Sequence, residues 1–273
     1  MLVGTQQILT QTQLLELRDI AIKAGSAILP VYSSYKQNKQ LIGIRIKQDN
    51  TPVTEADLLS HQVIETELRK QFPQWPILSE ESNSIPWSER KKWHTYWLVD
   101  PLDGTKEFIA MNDEFTVNIA LIHHGNPVAG VVYAPALSKC YFGAQGLNAW
   151  VQHDQSQDKL PISKKWQEVP RVLVSRSHPS VAMEAYLASI DKYQLMSIGS
   201  SLKFCLLAEG HAELYPRLGP TCEWDTAAGH AVLNAAGGRV ELFEKKQSLR
   251  YNQTNSLLNP FFIAGSPYMI LTQ

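Results

Sequence analysis

The 273-residue chain has few cysteines, and their spacing pairs none of them. Its three cysteines, Cys140, Cys205 and Cys222, are odd in number and far apart, and no Cys-x-x-Cys motif occurs. The sequence therefore indicates neither a disulfide framework nor a structural zinc site. We expect the three side chains to be small buried hydrophobic groups in a protein of the reducing cytoplasm.

Long apolar runs and clusters of positive charge are also absent. No segment approaches the roughly 18 uncharged apolar residues of a membrane-spanning helix, and the N-terminus lacks the pattern of a signal peptide. Lys and Arg total 25 while Asp and Glu total 26, which gives a net charge of −1. This balance argues against a nucleic-acid polymer as partner, because such a polymer requires a basic face. A small phosphorylated molecule needs only a few local cations.

Apolar periodicity predicts helices and an antiparallel meander in the first part of the chain. An apolar helical stripe over residues 8–29 should end near Pro30, and a capping-box pattern begins a second helix over Thr54–Arg69. Three strands are predicted, over residues 115–122, 128–134 and 140–144. Residues 151–168 are polar and aperiodic, and we expect them to connect an α+β half, residues 1–155, to an α/β half, residues 156–273.

The second half alternates strands with helices. Strands are predicted over residues 171–175, 195–198, 213–215, 240–243 and 261–264. Helices are predicted over residues 181–190, 200–208 and 225–236, and the glycine pair at 237–238 suits the end of the last one.

Acidic residues recur where predicted strands end and helices begin. Asp100 and Asp103 follow the apolar run 97–99, and Pro101 and Gly104 should make this segment rigid and sharply turned. Thr105 can cap the helix that follows. Taken alone, however, Asp-Pro-x-Asp-Gly is also a common surface turn.

Three further acidic positions give the segment a chemical context. Glu80 and Glu81 end an apolar stretch, although a solvated loop pair is the alternative interpretation. Asp57 and Asp225 begin predicted helices, where each is alternatively a simple capping or dipole-stabilising residue. Carboxylates gathered at several element ends are the oxygen ligands that Mg²⁺ prefers, often together with substrate phosphate.

These motifs resemble the inositol monophosphatase superfamily of lithium-sensitive, magnesium-dependent phosphatases. The resemblance rests on Asp-Pro-Leu-Asp-Gly-Thr at 100–105, Glu-Glu-Ser at 80–82 and Trp-Asp-x-Ala-Ala-Gly at 224–229. The motifs occur in the family's order and the resemblance spans about residues 10–265. It implies a layered αβαβα sandwich whose metal ions lie at the junction of the two halves.

The resemblance also implies a set of metal ligands. Glu80, Asp100 and the backbone carbonyl of Leu102 would hold one Mg²⁺. Asp100, Asp103 and Asp225 would hold a second ion, with Asp100 bridging the two. In such a two-metal site one ion lowers the pKa of a water and the other stabilises the departing ester oxygen.

Catalytic roles are carried over from the same resemblance. Asp57 and Thr105 would orient the attacking water, and Glu80 would contribute to catalysis through its metal ion. The amides of Gly104 and Thr105 would bind the phosphoryl group. Glu81 would lie farther from the reacting atoms.

The second half resembles the branch of the superfamily that removes the 3′-phosphate of adenosine 3′,5′-bisphosphate. The segments that carry this likeness are Ser-Arg-Ser-His at 175–178, Gly-Ser-Ser-Leu-Lys-Phe-Cys at 199–205 and Leu-Tyr-Pro-Arg at 214–217. Lys203 and Arg217 would hold the second phosphate, whereas the inositol-specific branch has an acid at the position of Arg217. His178 would face the base or sugar, and Ser200 and Asp225 would also contact the substrate.

The sequence thus predicts a Mg²⁺-dependent enzyme that converts adenosine 3′,5′-bisphosphate to AMP and phosphate, linked to sulfate assimilation. An inositol or sugar phosphatase is the nearest alternative, and a catalytically silent phosphate-ligand binding protein is the alternative from another class. The resemblance is compatible with a homodimer and with peripheral attachment to the inner face of the cell membrane, although no residue pattern indicates either.

Overall fold

The structure is a computed structural model that describes residues 7–38, 45–46, 52–154, 156–160, 168–176 and 181–266. The helices are α1 Gln11–Gln37, α2 Glu55–Gln71, α3 Trp87–Arg90, α4 Thr105–Ala110, α5 Val181–Ala188, α6 Leu202–Ala208 and α7 Glu223–Ala235. The strands are β1 Arg45–Ile46, β2 Pro52–Val53, β3 Ile77–Ser79, β4 Thr95–Asp103, β5 Thr116–His123, β6 Asn126–Ala134, β7 Lys139–Ala144, β8 Asn148–His153, β9 Ser156–Lys159, β10 Arg171–Ser175, β11 Gln194–Ile198, β12 Leu214–Arg217, β13 Arg239–Leu242 and β14 Phe262–Gly265.

The first large sheet has seven strands in the order β3-β4-β5-β6-β7-β8-β9. β3 pairs parallel with β4, and the remaining pairs are antiparallel, which confirms the predicted meander. The second sheet has the order β11-β10-β12-β14-β13. Its β10 pairs parallel with β11 and β12, whereas β14 is antiparallel to both β12 and β13.

Alternating side chains on the strands divide the interior into three hydrophobic cores. On β4, Trp97 and Val99 pack with α1 and α2, whereas Tyr96 and Leu98 pack with α6, α7 and the inner face of the second sheet. The outer face of the second sheet packs against α5 around Leu187. The layers therefore run helix, sheet, helix, sheet, helix, as the resemblance implies for an αβαβα sandwich.

The predicted end of the first helix at Pro30 is wrong. Pro30 lies inside α1, which continues to Gln37. A proline removes only one backbone donor from the helix. The extra turns bury Tyr32 and Tyr35 in the first core, each about 3% exposed, and this burial offsets the lost hydrogen bond.

Residues 151–168 were expected to form an irregular connection, and this expectation is also wrong in its first part. β8 and β9 continue the first sheet from Asn148 to Lys159, at its edge. All four residues of β9 are exposed, so the strand has no buried face to produce an apolar alternation. Residues 161–167 lie outside the described part of the chain.

The predictions for the start of α2 and the end of α7 are confirmed, whereas the predicted cap of α4 is wrong, because Gly104 is the cap and Thr105 is the first residue of the helix. Thr54 caps α2 and forms the predicted capping box with Asp57. After α7, Gly237 has φ of 100°, a conformation that glycine adopts without strain. Cys140 and Cys205 are buried as expected, whereas Cys222 is half-buried and caps α7. Within the described residues, every helix is too short or too polar to cross a bilayer.

Candidate active site

The end of β4 forms one wall of a cavity of about 210 Å³. Asp100 is 2% exposed, and its Oδ1 accepts a hydrogen bond from the Leu102 amide at 3.0 Å. The Ser60 hydroxyl donates to the Pro101 carbonyl at 2.7 Å, which fixes the turn from behind. Gly104 follows with φ of 91°, so the chain can reverse into α4 where a side chain would be strained.

Asp57 and Thr105 lie together behind this turn. Asp57 Oδ2 accepts hydrogen bonds from the Thr54 amide at 2.8 Å and the Thr54 hydroxyl at 2.6 Å. Its Oδ1 lies 3.4 Å from the Thr105 hydroxyl, which in turn lies 3.5 Å from the Leu102 carbonyl. Burial raises the pKa of Asp57 to about 6, against the lowering effect of Thr54. One carboxylate oxygen is thus anchored and the other is directed at Thr105.

α7 supplies the acid from the other side of the cavity. Asp225 Oδ2 accepts from the Thr221 hydroxyl at 2.7 Å and from the Cys222 amide at 2.9 Å. These contacts belong to the turn that begins α7, as the sequence predicted for an acid at a helix start. They tie one oxygen of Asp225 to its own turn, so the other is available to a ligand.

Glu80, Asp100 and Asp225 form a compact group of acids in the described part of the chain. One ligand oxygen from each lies within 4.8 Å of the others. Burial and the neighbouring carboxylates raise the pKa of Asp100 well above its usual range and that of Asp225 to about 7. Three oxygen donors that repel one another at this distance fit a hard divalent cation, because the cation would neutralise them.

Asp103 and Leu102 line the same cavity, but Asp103 is not part of this group of three. The Ser201 backbone amide donates to its carboxylate, and the Asn118 side-chain nitrogen Nδ2 lies 3.4 Å from its Oδ2. Burial raises the pKa of Asp103 to about 6, while nearby Lys203 lowers it. Asp103 was predicted to be a ligand of the second metal ion. In this structure its carboxylate is bonded to protein donors, so that role stays a prediction.

Two buried cations line the same cavity as the acids. Lys203 is 5% exposed, and its ammonium donates to the carbonyls of Ile198 at 3.2 Å and Ser200 at 2.6 Å. Arg217 is 8% exposed, and its Nε is buried without a hydrogen-bond partner. Burial lowers the pKa of Lys203 to about 8. An incoming anion would give Arg217 Nε a partner and would be attracted by the charge of Lys203.

Of the remaining predicted site residues, some line the cavity and one lies outside the described part of the chain. Gly104, Thr105 and Ser200 line the cavity together with the two cations. His178 lies outside the described residues, so its role stays a prediction. Glu81 is close enough to raise the pKa of Asp57 electrostatically, and it is absent from the cavity lining.

Several polar residues at the site were missed from the sequence. Thr221 and Ser201 hold the carboxylates of Asp225 and Asp103, respectively. Thr221 lies four residues before Asp225, one more than the three-residue spacing of a capping box, so no capping signal pointed to it. Asn118 and Glu107 approach the site from other elements, and such long-range contacts leave no local pattern.

Comparisons with known proteins agree with this geometry. The sequence profile of the inositol monophosphatase family matches residues 11–268. The chain is 49% identical to the 3′(2′),5′-bisphosphate nucleotidase CysQ of Escherichia coli K12 over 243 residues, which cover 89% of this chain and 95% of the relative. It is 43% identical to the nucleotidase CysQ of Buchnera aphidicola, over 90% of this chain and 91% of that one.

A solved structure shows the same fold. The crystal structure of CysQ from Bacteroides thetaiotaomicron, described as a bacterial member of the inositol monophosphatase family, superposes with a TM-score of 0.83 at 38% identity. The match covers 95% of this chain and 98% of that one. With the acids, the cations and the fold in agreement, the chain belongs to the inositol monophosphatase family.

Proposed function

We propose that the protein is a 3′(2′),5′-bisphosphate nucleotidase that converts adenosine 3′,5′-bisphosphate to AMP and phosphate. The observation that carries this proposal is the buried pair of Lys203 and Arg217 in the same cavity as Glu80, Asp100 and Asp225. The acids suit a metal ion with the phosphate that reacts, whereas the cations suit a second phosphate on the same molecule. The CysQ relatives support the same activity.

Mg²⁺ is the cation that we propose for the acidic group. Glu80, Asp100 and the Leu102 carbonyl would hold one ion, and Asp100, Asp103 and Asp225 would hold a second. When bound, such ions lower the pKa of water and neutralise charge on the phosphoryl and leaving oxygens. The all-oxygen donor set, with no histidine or cysteine in it, favours Mg²⁺ over zinc.

Asp57 and Thr105 carry the proton chemistry in this proposal. The Thr105 hydroxyl, held by Asp57 Oδ1, orients the attacking water, and the Asp57 carboxylate receives the proton. A pKa of about 6 suits a group that accepts a proton near neutral pH. The amides of Gly104 and Thr105 lie at the cavity wall, where they would stabilise the charge on phosphorus.

The substrate is distinguished by its second phosphate. Arg217 Nε is buried without a hydrogen-bond partner, and a monophosphate bound at the acids would leave it so. Ser200, His178 and Asp225 are proposed to contact the sugar or base side of the nucleotide. An enzyme of the inositol-specific branch would instead have an acid, which suits sugar hydroxyls, at the position of Arg217.

Phosphate release from three substrates tests the proposal. Adenosine 3′,5′-bisphosphate, inositol 1-phosphate and fructose 1,6-bisphosphate are compared with Mg²⁺, and then with added Li⁺, which should inhibit. Preference for the nucleotide is expected. Good turnover of inositol phosphate alone would indicate the sugar phosphatase, and silence on all three would indicate a binding protein.

Assembly and location are separate proposals. We propose a cytoplasmic protein that acts on a nucleotide of that compartment. Sedimentation of the purified protein tests the homodimer, and co-pelleting with inner-membrane vesicles tests peripheral attachment.

A further inference from the structure

The loop between α4 and β5 carries an acid, Glu114, that has no part in the proposed chemistry. Its carboxylate accepts three hydrogen bonds from the second half of the chain. Arg176 donates two, from Nε at 3.0 Å and from Nη2 at 2.7 Å. The Gly199 amide donates the third at 2.7 Å. Glu114 therefore joins the first sheet's side of the molecule to the segment that precedes α6.

The amide held by Glu114 belongs to the peptide unit whose carbonyl holds Lys203. Lys203 donates to Ile198 O at 3.2 Å, and the next group in the chain, the Gly199 N–H, donates to Glu114. A peptide unit is planar, so fixing its N–H also fixes the direction of its carbonyl. The Glu114 carboxylate thus sets one of the two oxygens that place the Lys203 ammonium.

The segment around Gly199 is tightly packed and strained. A Cβ added to Gly199 would lie 2.7 Å from Glu107 Cγ and 3.1 Å from the Glu114 carbonyl, so only glycine fits. Ser200 follows with φ of 48°, a conformation that is costly for a residue with a side chain. Such a conformation persists only when surrounding contacts hold it, and Glu114 provides one of them.

Hydrogen bonds of the neighbouring residues hold the loop that carries Glu114. Asp113 Oδ1 accepts hydrogen bonds from the Tyr32 hydroxyl at 2.8 Å and the Lys36 ammonium at 2.7 Å. The Asn112 side chain accepts from the Glu114 amide at 3.0 Å. The loop is therefore anchored to α1, and the Glu114 carboxylate approaches Gly199 from a rigid support.

We infer that Glu114 is a positioning residue for the substrate's second phosphate, because its carboxylate orients the Ile198–Gly199 peptide that holds Lys203 in the cavity. The inference rests on the proposed function, in which Lys203 binds that phosphate. Glu114 touches neither substrate nor reacting atoms in this role. The ion pair with Arg176 offsets the negative charge that the Glu114 carboxylate brings near the cavity.

Replacing Glu114 separates positioning from simple electrostatics, since the two predict opposite signs. At a pH well below the Lys203 pKa of about 8, where loss of Glu114 leaves the ammonium protonated, removing an anion near a phosphate site would by charge alone strengthen phosphate binding and lower KM. Loss of the contact to Gly199 would instead release Lys203 and raise KM. The direction of the change in KM therefore discriminates between them.

The experiment compares wild type with Glu114→Ala on two substrates, adenosine 3′,5′-bisphosphate and adenosine 3′-phosphate, which lacks the second phosphate. We expect KM for the bisphosphate to rise about tenfold, as for loss of one charge-assisted hydrogen bond. For the monophosphate, kcat and KM should stay within about twofold of wild type.

Glu213→Ala is the matched control. Glu213 also binds an arginine guanidinium and a backbone amide, both of Arg171, at the opposite end of β10 from the cavity. This variant should lose stability without changing the ratio of the two KM values. If it does not fold, Glu213→Gln replaces it, and circular dichroism checks the fold of each variant.

Two results would overturn the inference while leaving the proposed function intact: an unchanged or lowered KM for the bisphosphate, or equal losses on both substrates. Wild-type protein that does not hydrolyse the bisphosphate would refute the proposed function, and the role of Glu114 with it.

Discussion

Asn118 Nδ2 lies 3.0 Å from Ser201 Oγ, so β5 is bonded directly to the residue that precedes α6. Ser201 in turn donates to the backbone carbonyl of Asp225. Asn118 and Ser201 therefore join the first sheet to the start of α7, next to Asp225. Both residues are buried, so water cannot replace either partner.

Asn118→Ala should lower both stability and turnover. We expect the free energy of unfolding to fall by about 1–3 kcal/mol, because the Ser201 hydroxyl loses a buried partner. Turnover should fall as well, since Asp103 and the start of α7 lose a support. Urea unfolding and kcat measure the two effects, with Asn126→Ala, at the exposed first residue of β6, as control. Wild-type values for both would contradict the structural role.

Asp57→Asn should abolish most activity without unfolding the protein. The amide retains an oxygen but cannot accept a proton from the attacking water, so kcat should fall by about 10²- to 10⁴-fold. Steady-state phosphate release measures this loss, and Thr105→Ser, which keeps a hydroxyl, should retain far more activity. A decrease of only a few-fold in Asp57→Asn would remove Asp57 from the proton chemistry.

Mg²⁺ should stabilise the fold. Without the ion, the charge of one of its proposed ligands, Asp225, should lower the free energy of unfolding. A cation at 100 times its Kd adds about 2.7 kcal/mol to the free energy of unfolding. Asp225→Asn should raise Tm in EDTA, because it removes one of the repelling charges, and should reduce the Mg²⁺-induced rise. Thermal unfolding with EDTA and with Mg²⁺ tests both signs. Asp158→Asn, on exposed β9, is the control that should behave as wild type.

Binding of the second phosphate should weaken at alkaline pH. The pKa of Lys203 is lowered to about 8 by burial, against the raising effect of Asp103, so its charge is present below that pH and lost above it. We expect kcat/KM for adenosine 3′,5′-bisphosphate to decrease above about pH 8. Lys203→Arg should abolish this decrease, since arginine stays protonated. The same decrease with adenosine 3′-phosphate would assign the titration to another group.

His230 should make the fold sensitive to acid. Burial lowers its pKa to about 3, and its Nδ1 lies 3.0 Å from the Tyr251 hydroxyl. In the unfolded chain the pKa of His230 is about 6.5, so the unfolded state takes up a proton first as the pH falls. The free energy of unfolding should therefore decrease between about pH 6.5 and pH 3, by up to about 1.4 kcal/mol per pH unit.

Urea unfolding at pH 7 and pH 5 measures that slope. His230→Gln should flatten it relative to wild type, whereas His211→Gln, whose side chain is 61% exposed, should not. Equal slopes in wild type and His230→Gln would show that other groups cause the acid sensitivity.

The acids were predictable because they belong to short motifs whose local geometry follows from residue type. Pro101 and Gly104 shape the turn after Asp100, and Thr54 with Asp57 forms a capping box readable from four residues. The layer order followed from the resemblance, and the sheet alternation on β4 follows the apolar pattern around Trp97.

Other features depend on contacts between distant segments, which periodicity does not record. The continuation of α1 past Pro30 depends on where Tyr32 and Tyr35 are buried. The contact of Glu114 with Gly199 appears only after α4, β5 and β11 have been placed. The strand β9 was missed because neither of its faces is buried.

Asp225 belongs to α7, whereas Asp100 belongs to β4 and Glu80 directly follows β3, so both are made much earlier in synthesis. The first sheet can leave the ribosome with its share of the acids, but the group stays incomplete until α7 has been translated and has packed against Gly130, where a Cβ would lie 2.4 Å from the Ala228 carbonyl. A translation product interrupted before α7 therefore lacks Asp225 and cannot assemble the group of three acids.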